Sequence, residues 1–160
     1  MIIWINNNQE LLCENGKYIG QVVNGKREGR GIYYVNNGDR YEGEWKNDLR
    51  EGKGIEYFHS GAYYEGEWKN GKIEGRGIYY YNDGDRYEGN FRNHLKEGKG
   101  IYYYNDGDRY EGDWRNDNME GKGIYYYNNG DRRMGDYSND KPIGKHVTLT
   151  KNGEVNTTNY

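Results

Sequence analysis

Short runs of alternating aromatic and polar residues, separated by turn-forming pairs, make up most of the chain. In Tyr87–Phe91, a ring, an acid, a glycine, a polar residue and a second ring follow one another with the period of a β-strand. Pairs such as Asn24-Gly25 and Asp83-Gly84 bound these runs, and they tolerate the positive φ angles that tight hairpin turns require. Because apolar residues do not recur at helical spacing, the pattern predicts strands joined by hairpins, without helices.

The pattern repeats every 23 residues. From Gly20 to Gly135 one glycine position recurs at this spacing without insertion or deletion, together with two turn pairs and a Gly-x-Gly pair. We predict six hairpin units, at residues 18–40, 41–63, 64–86, 87–109, 110–132 and 133–155. An isolated hairpin is marginally stable in water, so neighbouring units have to stabilise one another. The predicted fold is all-β, an elongated, solenoid-like, single-layer antiparallel meander.

Rings and glycines share one face of each predicted hairpin. Tyr41, Gly43 and Trp45 point the same way because alternate residues of a strand face the same side. A glycine allows a ring from the neighbouring strand to lie over bare backbone. We assign this structural role to the recurring positions Tyr41, Gly43, Trp45, Gly52, Gly54, Tyr64, Gly66, Trp68, Gly75, Gly77, Tyr87, Gly89, Phe91, Gly98, Gly100, Tyr110, Gly112, Trp114, Gly121 and Gly123.

Both ends of the chain depart from the repeat. Residues 1–17, which include Trp4, are predicted to add a partial hairpin as a cap, and residues 156–160 to form a C-terminal tail. In the last unit, Arg133 and His146 replace the tyrosine and the glycine of the other units. Repeat arrays require atypical end units, so we interpret these departures as caps.

The composition limits the classes of protein. Of 160 residues, 32% are hydrophobic, and 20 tyrosines and 4 tryptophans supply much of the apolar surface, which excludes a conventional aliphatic core. A net charge of −3 provides no general attraction to nucleic acid, so we expect no nucleic-acid partner. Cys13 is the one cysteine, which excludes an intrachain disulfide. Without a signal peptide at Met1–Leu12 or a membrane-spanning run, we expect an intracellular, cytoplasmic protein.

The sequence carries no recognisable catalytic motif. The three histidines lie in different units, and a nucleophile elbow, a phosphate-binding loop and a pair of carboxylates in a cleft are absent. Asn82–Asp85 with Glu88 has some of the carboxylates of a calcium loop. However, Asp-Gly already accounts for a hairpin turn there, and Arg86 can neutralise the neighbouring aspartate. We therefore predict no enzyme activity, no metal and no cofactor.

Tyrosine runs follow each Gly-x-Gly pair. Consecutive tyrosines face opposite sides of a strand, so both faces of the sheet carry rings, and the pattern allows either face to be the exposed one. Exposed tyrosine offers a large contact area at low rotamer cost, which suits protein partners. The predicted partner-binding residues are Tyr79, Tyr81, Tyr102, Tyr104, Tyr125 and Tyr127.

The segment Tyr64-Glu-Gly-Glu-Trp-Lys-Asn-Gly71, followed by Gly75-Arg-Gly77, resembles the MORN repeat (membrane occupation and recognition nexus). The resemblance covers residues 18–155 in six tandem copies. It implies a non-catalytic structural scaffold, since similar proteins occur in cilia, flagella, cytoskeletons and membrane-contact sites. We accordingly expect a subunit of a large cytoskeletal or ciliary (axonemal) assembly that binds other proteins, and open edge strands are compatible with a homodimer.

Phospholipid binding is the alternative function, and the family resemblance suggests it. A basic residue recurs in each of four units, at Lys53, Arg76, Lys99 and Lys122. An acidic residue precedes each of them by two positions, whereas binding to anionic membranes requires an uncompensated basic cluster. The sequence therefore favours a protein partner over a membrane surface.

Overall fold

The computed structural model of the protein describes residues 8–160, and this range contains fourteen β-strands and no helix. The strands are β1 Asn8–Cys13, β2 Gly16–Val23, β3 Lys26–Val35, β4 Arg40–Lys46, β5 Leu49–Tyr57, β6 Tyr63–Lys69, β7 Lys72–Tyr80, β8 Arg86–Arg92, β9 Leu95–Tyr103, β10 Arg109–Arg115, β11 Asn118–Tyr126, β12 Arg132–Ser138, β13 Lys141–Leu149 and β14 Val155–Asn159. Their order in the sheet is their order in the chain. The predicted all-β antiparallel meander is confirmed.

The chain divides into two compact units, residues 1–74 and residues 75–160. In the first unit, strands β1 to β6 pair antiparallel with their neighbours in succession. In the second unit, the same succession joins β7 to β14. Over residues 8–160, the chain has no helix that is long and apolar enough to cross a membrane.

Two kinds of turn join the strands, at the positions that the sequence predicts. Asn47 and Asp48 have φ angles of 47° and 67°, the conformation of a two-residue type I′ turn, which matches the twist of the strands it joins. The second kind is a longer loop closed by glycine. In one such loop, Gly107 has φ 94° and donates its N–H to the carbonyl oxygen of Tyr104 at 3.1 Å.

A fully buried tyrosine forms the centre of each of the first five repeats. These residues are Tyr18, Tyr41, Tyr64, Tyr87 and Tyr110. The Tyr41 ring lies against Gly43 and Gly54, where any Cβ would overlap it, and its hydroxyl donates to the carbonyl oxygen of Glu44 at 3.1 Å. Burial is therefore achieved within a single layer, because each ring packs on bare backbone rather than on a second sheet.

Larger rings connect these tyrosines from repeat to repeat. In the first unit, Trp45 meets Tyr18 and Tyr41 edge to face, with centroids 5.4 and 5.2 Å apart. In the second unit, Trp114 meets Tyr87 and Tyr110 in the same way, at 5.1 and 5.3 Å. Each such pair contributes about 0.5–1.5 kcal/mol beyond the area that it buries. Each unit therefore has a core in the form of a row of aromatic rings.

The two glycines of a Gly-x-Gly pair have different roles. Gly100 lies under the Tyr87 ring, whereas Gly98 has φ +70° and sits where the pairing of β8 with β9 shifts register. Such a bulge with positive φ is a position that glycine adopts at low cost. We expected both glycines of a pair to lie under rings and to bend the strand. In the structure, the second lies under the ring and the first forms the bulge.

In the last repeat, the central ring comes from β13 instead of β12. His146 is fully buried, its ring covers Gly135, and its Nε2 donates to the carbonyl oxygen of Asp136 at 2.8 Å. The equivalent carbonyl in the other repeats accepts the hydroxyl of the central tyrosine. Arg133 stands at the tyrosine position, so the two departures from the repeat compensate each other.

Strands extend the repeat at both ends of the described chain. Residues 156–160, predicted as a tail, belong mostly to β14, which pairs with β13, and the Tyr160 ring lies 5.0 Å from His146. At the other end, β1 lies in the predicted cap of residues 1–17 and pairs with β2, which continues into the first repeat. The part of that cap at residues 1–7, including Trp4, lies outside the described residues.

We predict that Gly100→Ala lowers the free energy of unfolding by about 2–3 kcal/mol, because the new Cβ overlaps the Tyr87 ring. Gly144→Ala is the matched control, since its φ of +65° is strained but a Cβ there meets open space in the described chain. The control should cost about 1 kcal/mol. Urea denaturation of both variants measures the difference, and equal losses would contradict the packing role of the second glycine.

We also predict that the fold is lost in alkali. Burial raises the pKa of Tyr18 to about 12 and raises the pKa of Tyr41, Tyr64, Tyr87 and Tyr110 as well. A phenol whose pKa is higher in the folded state adds stability that is complete below about pH 10, the unfolded value, and is lost as the pH rises toward the folded value. Tyrosinate absorbance and circular dichroism should therefore change together above about pH 10. Ionisation of these tyrosines near their ordinary pKa in an intact sheet would disprove the coupling.

Candidate functional site: a ladder of tyrosines

The six tyrosines predicted to bind a partner form one continuous column in the second unit. We call this column the tyrosine ladder, and it consists of Tyr79, Tyr81, Tyr102, Tyr104, Tyr125 and Tyr127. Successive ring centroids along it are 4.6, 5.6, 4.7, 5.7 and 4.8 Å apart. All six side chains are half-buried. The structure thus brings together residues that lie up to 48 positions apart in the sequence.

Strand register decides which face carries the ladder. Tyr102 stands directly opposite Tyr87 on one side and Tyr110 on the other, and directly paired residues share a face. The ladder therefore lies on the same face as the buried rings, and the Tyr102 ring is 6.0 Å from that of Trp114. Register thus places Tyr102 on the face of the buried rings and Tyr103 on the opposite face.

The tyrosines between the ladder residues lie on the opposite face, under arginine side chains. The guanidinium of Arg86 is 4.2 Å from the Tyr103 ring centroid, and that of Arg109 is 3.9 Å from the Tyr126 ring centroid. Cation–π contacts of this kind stabilise a ring at an exposed site by about 0.5–1 kcal/mol. The two faces therefore differ in chemistry although both carry tyrosine.

Turn aspartates hold the ladder tyrosines in place. The Tyr102 hydroxyl donates to Oδ2 of Asp85 at 2.7 Å, while Oδ1 of the same carboxylate accepts the backbone N–H of Asn105 at 2.9 Å. Burial raises the pKa of Tyr102 above its ordinary value, and the hydrogen bond to Asp85 raises it further. Tyr125 has the same relation to Asp108, again with a raised pKa. Each of these two side chains is therefore held by its backbone at one end and by the hydrogen bond of its hydroxyl at the other.

The same carboxylates tie each loop to the next. Asp108 accepts the N–H of Asn128 at 2.8 Å, and Asp131 accepts that of Lys151 at 2.8 Å. Of the carboxylates at Asn82–Asp85 and Glu88 that resemble those of a calcium loop, Asp85 takes part in this network. Among residues 8–160, no group of three or more His, Cys, Asp or Glu side chains is arranged to hold a metal ion.

Burial and nearby carboxylates both raise the pKa of ladder tyrosines. Burial raises the pKa of Tyr104 to about 12, and the carboxylates of Asp140, Asp85 and Asp108 raise it as well. Asp117 acts on Tyr81 in the same direction. From the sequence, these aspartates were interpreted as turn residues. Their recurrence next to the tyrosines every 23 residues was the available signal that they also interact with the ladder.

Two cations lie against the ladder. The Lys96 ammonium is 5.0 Å from the Tyr102 ring centroid and 4.6 Å from that of Trp114, and burial lowers its pKa. The Arg133 guanidinium is 5.9 Å from the Tyr125 and Tyr127 ring centroids, near the other end of the column. Sequence reasoning missed Lys96, whose position just after the Asn-x turn was the available signal.

In the first unit, Tyr33 keeps the corresponding tyrosine, whereas Val35, Glu56 and Phe58 stand at the other three corresponding positions. Glu56 replaces a ladder tyrosine, is 8% exposed and pairs with Arg50 at 2.7 Å. Burial raises the pKa of Glu56 although the guanidinium opposes that shift. Arg50 also covers the Tyr41 ring at 4.9 Å, as Arg27 covers Trp45 at 4.3 Å. The open column of tyrosines is therefore a feature of the second unit.

These features define an all-β repeat protein whose core is a row of rings packed on glycine. The sequence model of the MORN repeat matches five consecutive segments, at residues 18–40, 41–63, 64–86, 87–109 and 110–132. The chain belongs to the MORN repeat family. The sixth predicted unit, residues 133–155, lies outside the matched range but has the same kinds of strand and turn.

Two domains of known structure are similar to the chain. The TCP domain of SAS-4 (dCPAP) of Drosophila melanogaster, described in complex with a proline-rich motif of Ana2 (dSTIL), has a TM-score of 0.56 and 14% identity over 100% of this chain and 94% of that chain. The TCP10 domain of Danio rerio CPAP has a TM-score of 0.41 and 15% identity over 99% and 92%. The Drosophila domain shares the fold. No curated protein matches the chain in sequence.

We predict that Tyr102→Phe lowers the free energy of unfolding by about 1 kcal/mol, because the Asp85 carboxylate loses a hydrogen bond. Tyr103→Phe, on the opposite face, keeps the ring beneath Arg86 and should change stability by less than about 0.5 kcal/mol. Thermal unfolding of the two variants gives the comparison. A larger loss for Tyr103→Phe would show that the turn aspartates do not anchor the ladder.

Proposed function

We propose that this MORN repeat protein is a non-catalytic scaffold that binds other proteins through the tyrosine ladder. The observation that carries the proposal is the continuous column of six half-buried rings on one face of a single-layer sheet. Tyrosine supplies a rigid, amphipathic contact surface and is enriched at protein interfaces. Because turn aspartates already hold Tyr102 and Tyr125, little side-chain entropy is lost when a partner binds.

The structural comparison supports a protein partner. The Drosophila domain, which has the same fold, is described in complex with a proline-rich motif of another protein. A sheet of this kind is therefore compatible with binding a protein segment. We further propose that the scaffold is a subunit of a cytoskeletal or ciliary assembly, in keeping with where proteins of this repeat family occur.

The distribution of basic residues argues against a membrane surface as the main partner. Lys99 pairs with Asp113 at 2.7 Å and Lys122 with Asp136 at 3.4 Å. Attraction to anionic lipid is worth about 1 kcal/mol for each basic residue near the surface, and a paired lysine provides less. Phospholipid binding is accordingly the second candidate, and the experiment below distinguishes it.

Site-specific photocrosslinking tests the proposal. We predict that a benzoylphenylalanine residue in place of Tyr104 gives crosslinks to discrete proteins in native extract, whereas the same residue in place of Tyr103 does not. The double variant Tyr104→Ser/Tyr127→Ser should weaken retention of those proteins by about tenfold or more, because two contact rings are lost. The matched control Tyr103→Ser/Tyr126→Ser changes two rings of the opposite face and should retain them.

An experiment with vesicles tests the alternative function, phospholipid binding. Sedimentation with phosphatidylserine vesicles that is salt-sensitive and equal in the two double variants, without discrete crosslinks from position 104, would reject the scaffold proposal. That result would assign the function to the basic residues. Circular dichroism of each variant shows that the sheet is intact before binding is compared.

A further inference from the structure

The spacing of the ladder selects one kind of peptide conformation. Each repeat adds two strands to the sheet, and with strands about 4.8 Å apart the ladder advances by about 9.6 Å. A polyproline II helix has three residues per turn and rises about 9.3 Å in that turn. The pitch of an α-helix, about 5.4 Å, does not match this advance. A polyproline II segment running across the strands therefore presents an equivalent face to each of the three ring pairs.

The ring geometry suits proline. Within the three ring pairs the planes are tilted by 46°, 50° and 50°, so the ladder is corrugated rather than flat. Grooves lined by aromatic rings are the surfaces on which proline-rich segments dock, since such segments are already ordered and lose little entropy on binding. The Tyr102 hydroxyl donates to Asp85, which leaves the ring itself as the contact surface.

The charged side chains beside the ladder indicate the charge of the peptide that binds there. Asp85 accepts the Tyr102 hydroxyl at 2.7 Å, and Asp108 accepts the N–H of Asn128 at the end of the following tyrosine run at 2.8 Å. Asp117 and Asp140 accept the N–H groups of Lys96 and Met119, and the cations described beside the ladder are Lys96 and Arg133. An arginine between prolines gains both a carboxylate partner and a ring face for a cation–π contact. The four carboxylates outnumber the two cations, which disfavours an acidic or phosphorylated segment.

We infer that the tyrosine ladder binds a basic, proline-rich segment of a partner protein, as a polyproline II helix with one turn per repeat. This inference rests on the proposed function, whose site it shares, and adds the conformation, the charge and the period of the partner. The two prolines of each triplet face a ring pair, and a long basic side chain at the third position is needed to reach a turn aspartate beside the rings, such as Asp85.

Synthetic peptides test the inference. Fluorescence anisotropy of a labelled peptide of four Pro-Pro-Arg triplets should show saturable binding to the intact protein. A peptide of four Gly-Gly-Arg triplets has the same charge without the preformed helix, and one of four Pro-Pro-Glu triplets reverses the charge. A peptide of four Pro-Pro-Pro-Arg units keeps the preformed helix and the number of charges but places the arginines out of step with the repeat. We expect each of the three to bind about tenfold more weakly or worse.

Variants of the protein locate the binding. Tyr104→Ser/Tyr127→Ser should weaken binding of the Pro-Pro-Arg peptide about tenfold, and Tyr103→Ser/Tyr126→Ser should leave it unchanged. Asp117→Asn/Asp140→Asn removes two charges, while asparagine keeps the positive φ and the acceptor for the Lys96 and Met119 N–H groups. This conservative variant should fold normally, bind the peptide several-fold more weakly and show a smaller dependence on salt.

The outcomes separate this inference from the proposed function. Equal binding of the Pro-Pro-Arg and Gly-Gly-Arg peptides, or binding that survives loss of the ladder tyrosines, would overturn the inference. Crosslinks from position 104 that are not competed by the Pro-Pro-Arg peptide would reject this partner class and leave the scaffold proposal standing. Binding to phosphatidylserine vesicles, with no binding to any of the peptides and no crosslinks, would reject both.

Discussion

The contact between a tyrosine ring and two glycines is the constraint on which each unit depends. A single-layer sheet has no opposing layer to bury its side chains, so the Tyr87 ring packs on the backbone of Gly89 and Gly100 and its hydroxyl donates to the Asn90 carbonyl oxygen. The same ring provides an edge-to-face contact for Trp114 of the next repeat. Because alternate residues face opposite sides, a one-residue slip would turn every ring of a strand to the wrong face, which explains the constant 23-residue length.

The tyrosine ladder follows from the same architecture. Register opposite the core rings places Tyr102 on their face, and Asp85 from the preceding turn fixes its hydroxyl. In the first unit, the pair of Glu56 with Arg50 fills the equivalent space, so repeats of the same fold carry different surfaces. The residues that specify the fold and those that distinguish the surfaces are therefore different positions of the same 23-residue unit.

Interactions between neighbouring residues made the turns and strands of the fold predictable. Asn-Gly and Asp-Gly pairs specify their own φ angles, and the two-residue period specifies faces, so the turns and strands followed from neighbouring residues. The alignment of six tyrosines in one column depends on register between strands, as does the position of Lys96 against Trp114, and neither is encoded locally. The strand at Val155–Asn159 was not predicted because asparagine at two of its five positions is unfavourable in strands, although Tyr160 lies 23 residues after Tyr137.

In the last repeat, arginine stands at the tyrosine position and His146 supplies the central ring from the neighbouring strand. The central ring is therefore a requirement on a pair of strands and not on one residue. Either strand can supply the ring provided that the other leaves room for it, as Gly135 does under His146. Changing only one of the two positions gives either two side chains in one space or a cavity with a carbonyl oxygen left unpaired. An ancestral repeat could therefore move its ring across the strands only through a destabilised intermediate, and neighbouring repeats that were already folded would be needed to tolerate it.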